Sequence, residues 1–384
     1  MKFLHTADWQ LGKPYGRIQD LDKRARARQE RVEAVRRMTA LVREHEASCV
    51  VVAGDLFDSS TVDKSTVSAG LSAIGGLEVP VLVIPGNHDH GGPGGIWEQD
   101  FFNRERASLA PNLTVWLEAK PVAAHGAIWF PCPLLRRQEQ ADATAWLRDP
   151  EVFAQGGAAH LPRVVVAHGS TMDFGSQAEA EDDEAAATHL NLDRLPMEAC
   201  DYVALGDWHG TKQAGPKAWY AGTPEPDRFP KGSDYAPGQV LLVEVERRQA
   251  PRVTALSTGR LAWHQREHRL EGSEALPELE RELTTQLGQR AQEDCLWLRL
   301  RGHVGLEGRK ALDSLLDTLK ARLLRLKLSD SVALTPTDDE IAALTTGEDP
   351  LIASVAQHFI QLAQDPEQAA VARAALQELH AQLR

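Results

Sequence analysis

The residues of this chain that could do chemistry sit in five short groups, each at or just after an apolar run. "KFLHTAD" ends at Asp8, with Gln10 two residues on. "CVVVAGDLFD" reaches Asp55. "VPVLVIPGNHD" reaches Asn87, His88 and Asp89. "RVVVAHG" reaches His168, and "CDYVALGDWHG" reaches Asp207 and His209. Two oxygen donors at i and i+2 on an extended chain point the same way and could hold one side of a metal ion. Each group alone also has a plain structural reading: Asp8 as a turn residue, Asp55 as a helix N-cap, Asn87–Asp89 as a tight turn, His168 as a core histidine. Five such endings in one chain point instead to a shared metal site.

Elements must bring them together. The apolar, β-branched runs suit buried strands. A helix is expected from about Leu21 to Ala47, with Val32, Val35, Met38, Leu41 and Val42 on one face. Strands alternating with helices imply an α/β core. In such folds functional groups gather beyond the carboxyl ends of the strands, so all five groups could converge.

At 384 residues the chain is longer than one typical domain. A formal net charge of −13 argues against coating nucleic acid through bulk positive charge, although metal ions or a local basic patch can still face phosphates. No run is apolar and long enough to cross a bilayer, and the first residues lack a leader pattern, so a cytoplasmic location and no membrane partner are expected. Cys49, Cys132, Cys200 and Cys295 form no CxxC pair, which disfavours a disulfide framework or a cysteine-zinc site.

The order of these motifs resembles the calcineurin-like metallophosphoesterase superfamily. Within it, "FLHTADWQLGK", "VVAGDLFD", "IPGNHD", "VVAHG" and "YAGTPEPDRF" resemble the SbcD-type DNA repair exonucleases, over about residues 1–230. The resemblance implies an α/β fold: a two-sheet sandwich flanked by helices, with a small α/β capping domain and C-terminal helices. It implies two divalent metal ions, the first held by Asp8, Gln10, Asp55 and His209, the second by Asp55, Asn87, His168 and Asp207. His88 would sit over the site near the leaving oxygen. Asp89 reads either as a partner that sets the tautomer of a nearby imidazole or as a turn acid. Two such cations lower the pKa of a bound water and neutralise charge on the phosphoryl oxygens, while a histidine can protonate a leaving alkoxide.

Two positions depart from the pattern. Gln10 stands where the family usually has His, and Asp207 stands for the first His of G-H-x-H. Oxygen ligands favour harder ions, so Mn²⁺ is the expected metal, with Mg²⁺ the other candidate. Gln10 reads as a ligand variant.

Other segments carry weaker signals. Trp9 and Trp208 could wall the site or stack on a base, or simply pack. His90 could touch substrate or face solvent. Arg24, Arg26, Arg28, Arg31, Arg36 and Arg37 read as a solvated helix face or a phosphate-tracking patch. Residues 176–193 read as an acidic loop or linker. Arg228 and Lys231 are candidate phosphate contacts, and "QVLLVEVE" and "RVTALST" read as closing strands. The expected domains are 1–262, the nuclease unit; 263–332, the capping domain; and 333–384, a linker and C-terminal helices. In the capping domain "ALPELERELTTQLG" reads as a helix, "CLWLRLRGHV" as a strand and residues 307–328 as one long helix. Arg299, Arg301, Arg309, Lys310, Lys320, Arg322, Arg325 and Lys327 could meet phosphates or form exposed faces. The resemblance implies that the tail docks on an SbcC-type SMC-like ATPase, while its plain reading is helices that pack on this chain or a second copy. The chain has no GxxxxGK[ST] loop of its own, so any ATP-driven step would need such a partner. The leading expectation is a metal-dependent DNA exonuclease or endonuclease, acting in DNA repair as a homodimer with that ATPase. The alternatives are a small-nucleotide phosphodiesterase or phosphatase, and a non-catalytic DNA- or partner-binding subunit.

Overall fold

Neighbouring residues of β1 (Lys2–Thr6) bury opposite faces: Phe3 packs into one apolar cluster and Leu4 into another, and neither reaches solvent. That double burial explains why the site strands read as unbroken apolar runs rather than alternating ones. The computed structural model describes residues 1–138, 141–155, 158–171, 188–230, 232, 235–287, 290, 292–335, 337–345 and 350–382. The chain divides into two compact units, Met1–Ala262 and Trp263–Arg384.

In the first unit β1 is followed by α1 (Leu21–His45), β2 (Val50–Ala53), α2 (Lys64–Gly75), β3 (Val81–Ile84), α3 (Asp100–Leu109) and β4 (Leu113–Val115). Then come β5 (Val122–Ala124), β6 (Ala127–Cys132), β7 (Arg163–His168), the short β8 (Ser170–Thr171) and β9 (His189–Leu190), and β10 (Tyr202–Gly206). β11 (Lys212–Gly215), β12 (Ala218–Tyr220), β13 (Gln239–Glu244) and β14 (Arg252–Ser257) complete it. One sheet has the order β14-β13-β1-β2-β3-β4 and the other β11-β12-β10-β7-β6-β5. β1 to β4 run parallel, as do β6, β7, β10 and β12, so the strand ends that carry the motifs share a direction within each sheet.

The sheets face each other through Phe3, Val51, Ala53 and Leu82 on one side and Trp129, Val164, Val166 and Tyr202 on the other. The outer face of the first sheet is covered by Val35, Met38 and Val42 of α1, Leu71 and Ile74 of α2, and Phe102 of α3. This is the mixed α/β sandwich with flanking helices that the sequence predicts. Asp20 caps α1 by accepting from the N–H groups of Asp22 and Lys23, and the helix stops where Glu46 takes a left-handed backbone, two residues before the expected Ala47.

The second unit contains β15 (Ala262–Glu271), α4 (Leu276–Leu287), β16 (Asp294–Val304), α5 (Leu306–Arg322) and β17 (Arg325–Leu334). The long helix expected over 307–328 ends at Arg322. The residues after it alternate apolar and polar and pair in parallel with β16 from Cys295↔Arg325 to Val304↔Leu334. Leu296, Leu298 and Leu300 of β16 pack with Leu279 and Leu283 of α4 and Leu312, Leu316 and Leu319 of α5. The stretch read as a linker holds a helix, α6 (Asp338–Thr345), before α7 (Pro350–Leu362) and α8 (Ala369–Gln382). Leu344, Ala356 and Leu376 of these helices close over Leu306. The acidic 176–193 segment falls mostly outside the described residues, as does Lys231.

Candidate metal centre

The turns after β1 and β2 stay zipped beyond the ends of their strands. Asp8 N–H donates to the Gly54 carbonyl at 3.1 Å, and Gln10 N–H donates to the Asp55 carbonyl at 2.8 Å. This brings the first two motifs side by side. Asp8, Gln10 and Asp55 all have left-handed backbones, with φ of 53°, 39° and 56°, and Asp207 has φ of 104°. Such conformations are unfavourable for side-chain-bearing residues and cluster where a fold aims groups at a site.

The second sheet supplies the opposite side. His168, at the end of β7, places Nδ1 2.8 Å from the Ala53 carbonyl of the first sheet. Nδ1–H donates there, so Nε2 faces the acids, 3.2 Å from Asn87 Oδ1, 3.6 Å from Asp55 Oδ2 and 3.8 Å from Asp207 Oδ1. Asp207 N–H donates to the Asp8 carboxylate at 3.1 Å. A ligand atom from each of Asp8, Asp55 and His168 lies within 4.8 Å of the other two. Two glycines permit this closeness. A Cβ on Gly54 would come 2.2 Å from His168 Nδ1, and one on Gly86 would come 2.1 Å from Asp55 Oδ1.

The electrostatics suit a cation. Burial, reinforced by neighbouring acids, raises the carboxyls of Asp8 and Asp207 above the ordinary range. Burial would raise Asp55 too, but His168 and His88 outweigh it and hold it low. Burial alone would lower His168, yet Asp55, Asp8 and Asp207 together raise it to about 9. Three acids around one imidazole, Asp8 and Asp55 buried and Asp207 half-buried, thus hold a proton where a divalent ion would relieve the same charge. A histidine that donates its far N–H to a backbone carbonyl is also the arrangement of a metal ligand. The residues present fit a divalent metal.

His88 stands at the rim, 29% exposed, with Nδ1 2.8 Å from the Asp58 carbonyl and Nε2 4.0 Å from Asp55 Oδ2. Its own N–H donates to Asp55 Oδ1 at 2.9 Å. Asp89 is fully buried, and its oxygens accept from the N–H groups of Gly86 and Phe57 at 2.8 and 3.1 Å. It fastens the Asn87–His88 turn to the Asp55 turn through backbone, where the sequence offered either a turn acid or an imidazole partner. His209 Nδ1 lies 3.0 Å from Asp227 Oδ2 and 3.0 Å from Arg228 Nη2. Burial and the Arg228 charge lower its pKa to about 3, so the ring is neutral. Arg228, expected to meet phosphate, is itself paired with Asp227 at 3.1 Å. Trp9 is core, with its indole N–H on Thr6, and Trp208 stands edge-on to Tyr235 at 6.2 Å.

Several residues here escape sequence reasoning. Asp227 holds His209. Lys13 Nζ lies 3.2 Å from Asp227 and 2.9 Å from Gln10 Oε1. Arg31, grouped with a solvated helix face, is 1% exposed and braces the Asp8–Trp9 backbone against Thr223 and Glu225. Arg37 pairs with Glu225 at 2.6 Å. The quoted "YAGTPEPDRF" contains Thr223, Glu225 and Asp227, so its acids were a signal in plain view.

A family model described as calcineurin-like phosphoesterase matches residues 1–211. Among solved structures, the crystal structure of TT1561 of Thermus thermophilus is similar at 13% identity and a TM-score of 0.40, over 67% of this chain and 98% of that chain. A second is similar at 12% identity and a TM-score of 0.38, over 67% of this chain and 99% of its own.

Proposed function

The chain belongs to the calcineurin-like phosphoesterase family of metal-dependent hydrolases, and from that premise we propose that it cleaves phosphodiester bonds of DNA at a two-metal centre. The observation that carries the reading is the convergence of Asp8, Asp55 and His168 from two sheets, with Asn87 and Asp207 on the same imidazole. Asp8, Gln10, Asp55 and His209 would hold one cation, and Asp55, Asn87, His168 and Asp207 the other. Bound there, divalent cations supply charge neutralisation for a phosphodiester and a water of lowered pKa.

The chain's own residues do the rest. Asp227 orients His209, which burial and Arg228 keep neutral, and Ala53 fixes the His168 tautomer. His88 keeps one proton on Nδ1 for the Asp58 carbonyl; as imidazolium it offers the second, on Nε2, to a leaving alkoxide. Asp89 holds the turn that carries it.

DNA as the substrate is supported by the second unit, which lies beyond the family match. Its sheet places Arg299 4.0 Å and Lys327 3.5 Å from the Trp297 ring, a grouping suited to bases and phosphates. Basic residues there also meet acids: Arg309 pairs with Asp313 and Asp330, and Arg301 and Arg299 lie 3.2 and 3.8 Å from Glu267. On the C-terminal helices Leu351 and Val371 are exposed, in keeping with a partner such as an SbcC-type ATPase. A cytoplasmic homodimer using Mn²⁺ completes the reading. Its test is degradation of end-labelled single- and double-stranded DNA with Mn²⁺, Mg²⁺ or chelator, beside Asp55→Ala. Mn²⁺-dependent cleavage that Asp55→Ala abolishes is the expected result. Turnover of small nucleotide esters alone, or DNA binding with no turnover in any metal, would overturn it.

A further inference from the structure

Gln10 is almost fully buried, and its amide is used at both ends. Nε2 donates to Asp55 Oδ2 at 3.4 Å, while Oε1 accepts from Lys13 Nζ at 2.9 Å. Lys13 is anchored in turn by Asp227 at 3.2 Å and lies 4.0 Å from Asp58. The Gln10 backbone cannot shift freely, because its N–H is fixed on the Asp55 carbonyl. The only oxygen that Gln10's side chain could give a cation is therefore the one Lys13 holds. Turning the amide to offer that oxygen would bring its NH₂ against the ammonium, donor against donor.

We propose that Lys13 and the cation beside Asp8 compete for the Gln10 amide oxygen, so that Lys13 sets the affinity of this metal position and keeps it weaker than the position at His168. Lys13 is a positioning residue acting through Gln10. The inference rests on the two-metal reading and adds to it a residue that makes the two positions unequal. With Lys13 in place, the chain holds one cation firmly and takes the second only as its concentration rises. A hydrogen bond to an ammonium is strong enough for its release to matter on the order of tenfold in affinity.

Simple removal of positive charge would also tighten a cation, so the test is a double-mutant cycle. Mn²⁺ alone is titrated calorimetrically, with stoichiometry read by native mass spectrometry, into the wild-type chain, Lys13→Met, Gln10→Ala and the double variant. Unfolding midpoints are recorded for each, with Lys13→Gln as a second replacement should Lys13→Met not fold. The expected result is two unequal sites in the wild type and a tightening of the weaker one by about tenfold in Lys13→Met. That gain should vanish when Gln10 is already Ala. Equal tightening in both backgrounds would mean plain electrostatics, and no tightening would mean no competition; either overturns the inference while leaving the metal centre standing. Failure of the wild type to bind Mn²⁺ at all would overturn the centre and the inference together.

Discussion

Arg31 Nη2 donates to the carbonyl of Asp8 at 2.8 Å from within the core, while its Nε donates to the carbonyl of Trp9 at 2.6 Å. The same guanidinium reaches Thr223 Oγ1 at 3.1 Å. The left-handed turn that aims Asp8 is thus held from behind by a helix residue that never touches the site. Replacing Arg31 with Met leaves buried carbonyls without donors and should destabilise the fold by about 3 kcal/mol. Arg31→Lys, with a single point of donation, should recover only part of this. Denaturant unfolding of both variants checks the ranking. A loss below about 0.5 kcal/mol, the scale of an ordinary surface change, would show that the brace is dispensable.

The glycines test how closely the two sheets must approach. Gly54→Ala places a Cβ against His168 and strains a backbone with φ of 91°. It should weaken Mn²⁺ binding by tenfold or more, on the order expected when a ligand is displaced from its support. Gly16, with open space around its Cβ, is the matched control, and Gly16→Ala should bind as the wild type does.

A substitution at His88 tests whether binding and chemistry separate. His88→Gln should leave metal content unchanged and lower kcat on a DNA substrate by roughly 10²–10⁴. Metal analysis and steady-state kinetics on the same preparation decide it. Lost metal with unchanged kcat per loaded site would place His88 among the ligands instead.

Between about pH 6.5 and 9 the metal-free protein should lose stability as pH rises. His168 is protonated in the fold up to about 9 and only to 6.5 when unfolded, so its contribution is full below 6.5 and fades through 9. Glu225 and Asp89, each raised to about 7 chiefly by burial, bind protons that the unfolded chain has already released, which works in the same direction. His209, lowered to about 3, has its opposing effect below 6.5. Saturating Mn²⁺ should therefore stabilise the protein more at pH 9 than at pH 6.5, and its binding at neutral pH should release protons. Thermal unfolding with and without Mn²⁺, and calorimetry in buffers of different ionisation heat, measure both. Stabilisation that is larger at the acid end would contradict the His168 assignment.

The strand ends were legible because an apolar run that halts at Gly beside an acid, amide or imidazole is a local signal. Arg31 was not, because its acceptors are backbone atoms of Asp8 and Trp9 and a hydroxyl at Thr223, remote along the chain. Lys13 and Asp227 each lie inside or beside a quoted motif, yet only folding sets them 3.2 Å apart. The misread end of α5 has a different cause. Leu323, Leu324, Leu326 and Leu328 satisfy a helical spacing, but from Arg325 the period-two reading also fits, and ten register pairs with β16 decide for the strand. A period cannot show which neighbour is available.

The bond between Asp8 and the Asp207 N–H spans 199 positions of chain, and β1 completes its antiparallel pairing only with β13. A ribosome delivers these partners in order, N-terminus first. A nascent chain that stops short of Asp207 therefore already carries Asp8, Asp55 and His168 but lacks Asp207 and His209, and it cannot yet complete the centre. The centre thus becomes whole only late in synthesis, and an abandoned translation product ending before Asp207 would lack two of the residues proposed to hold its metals.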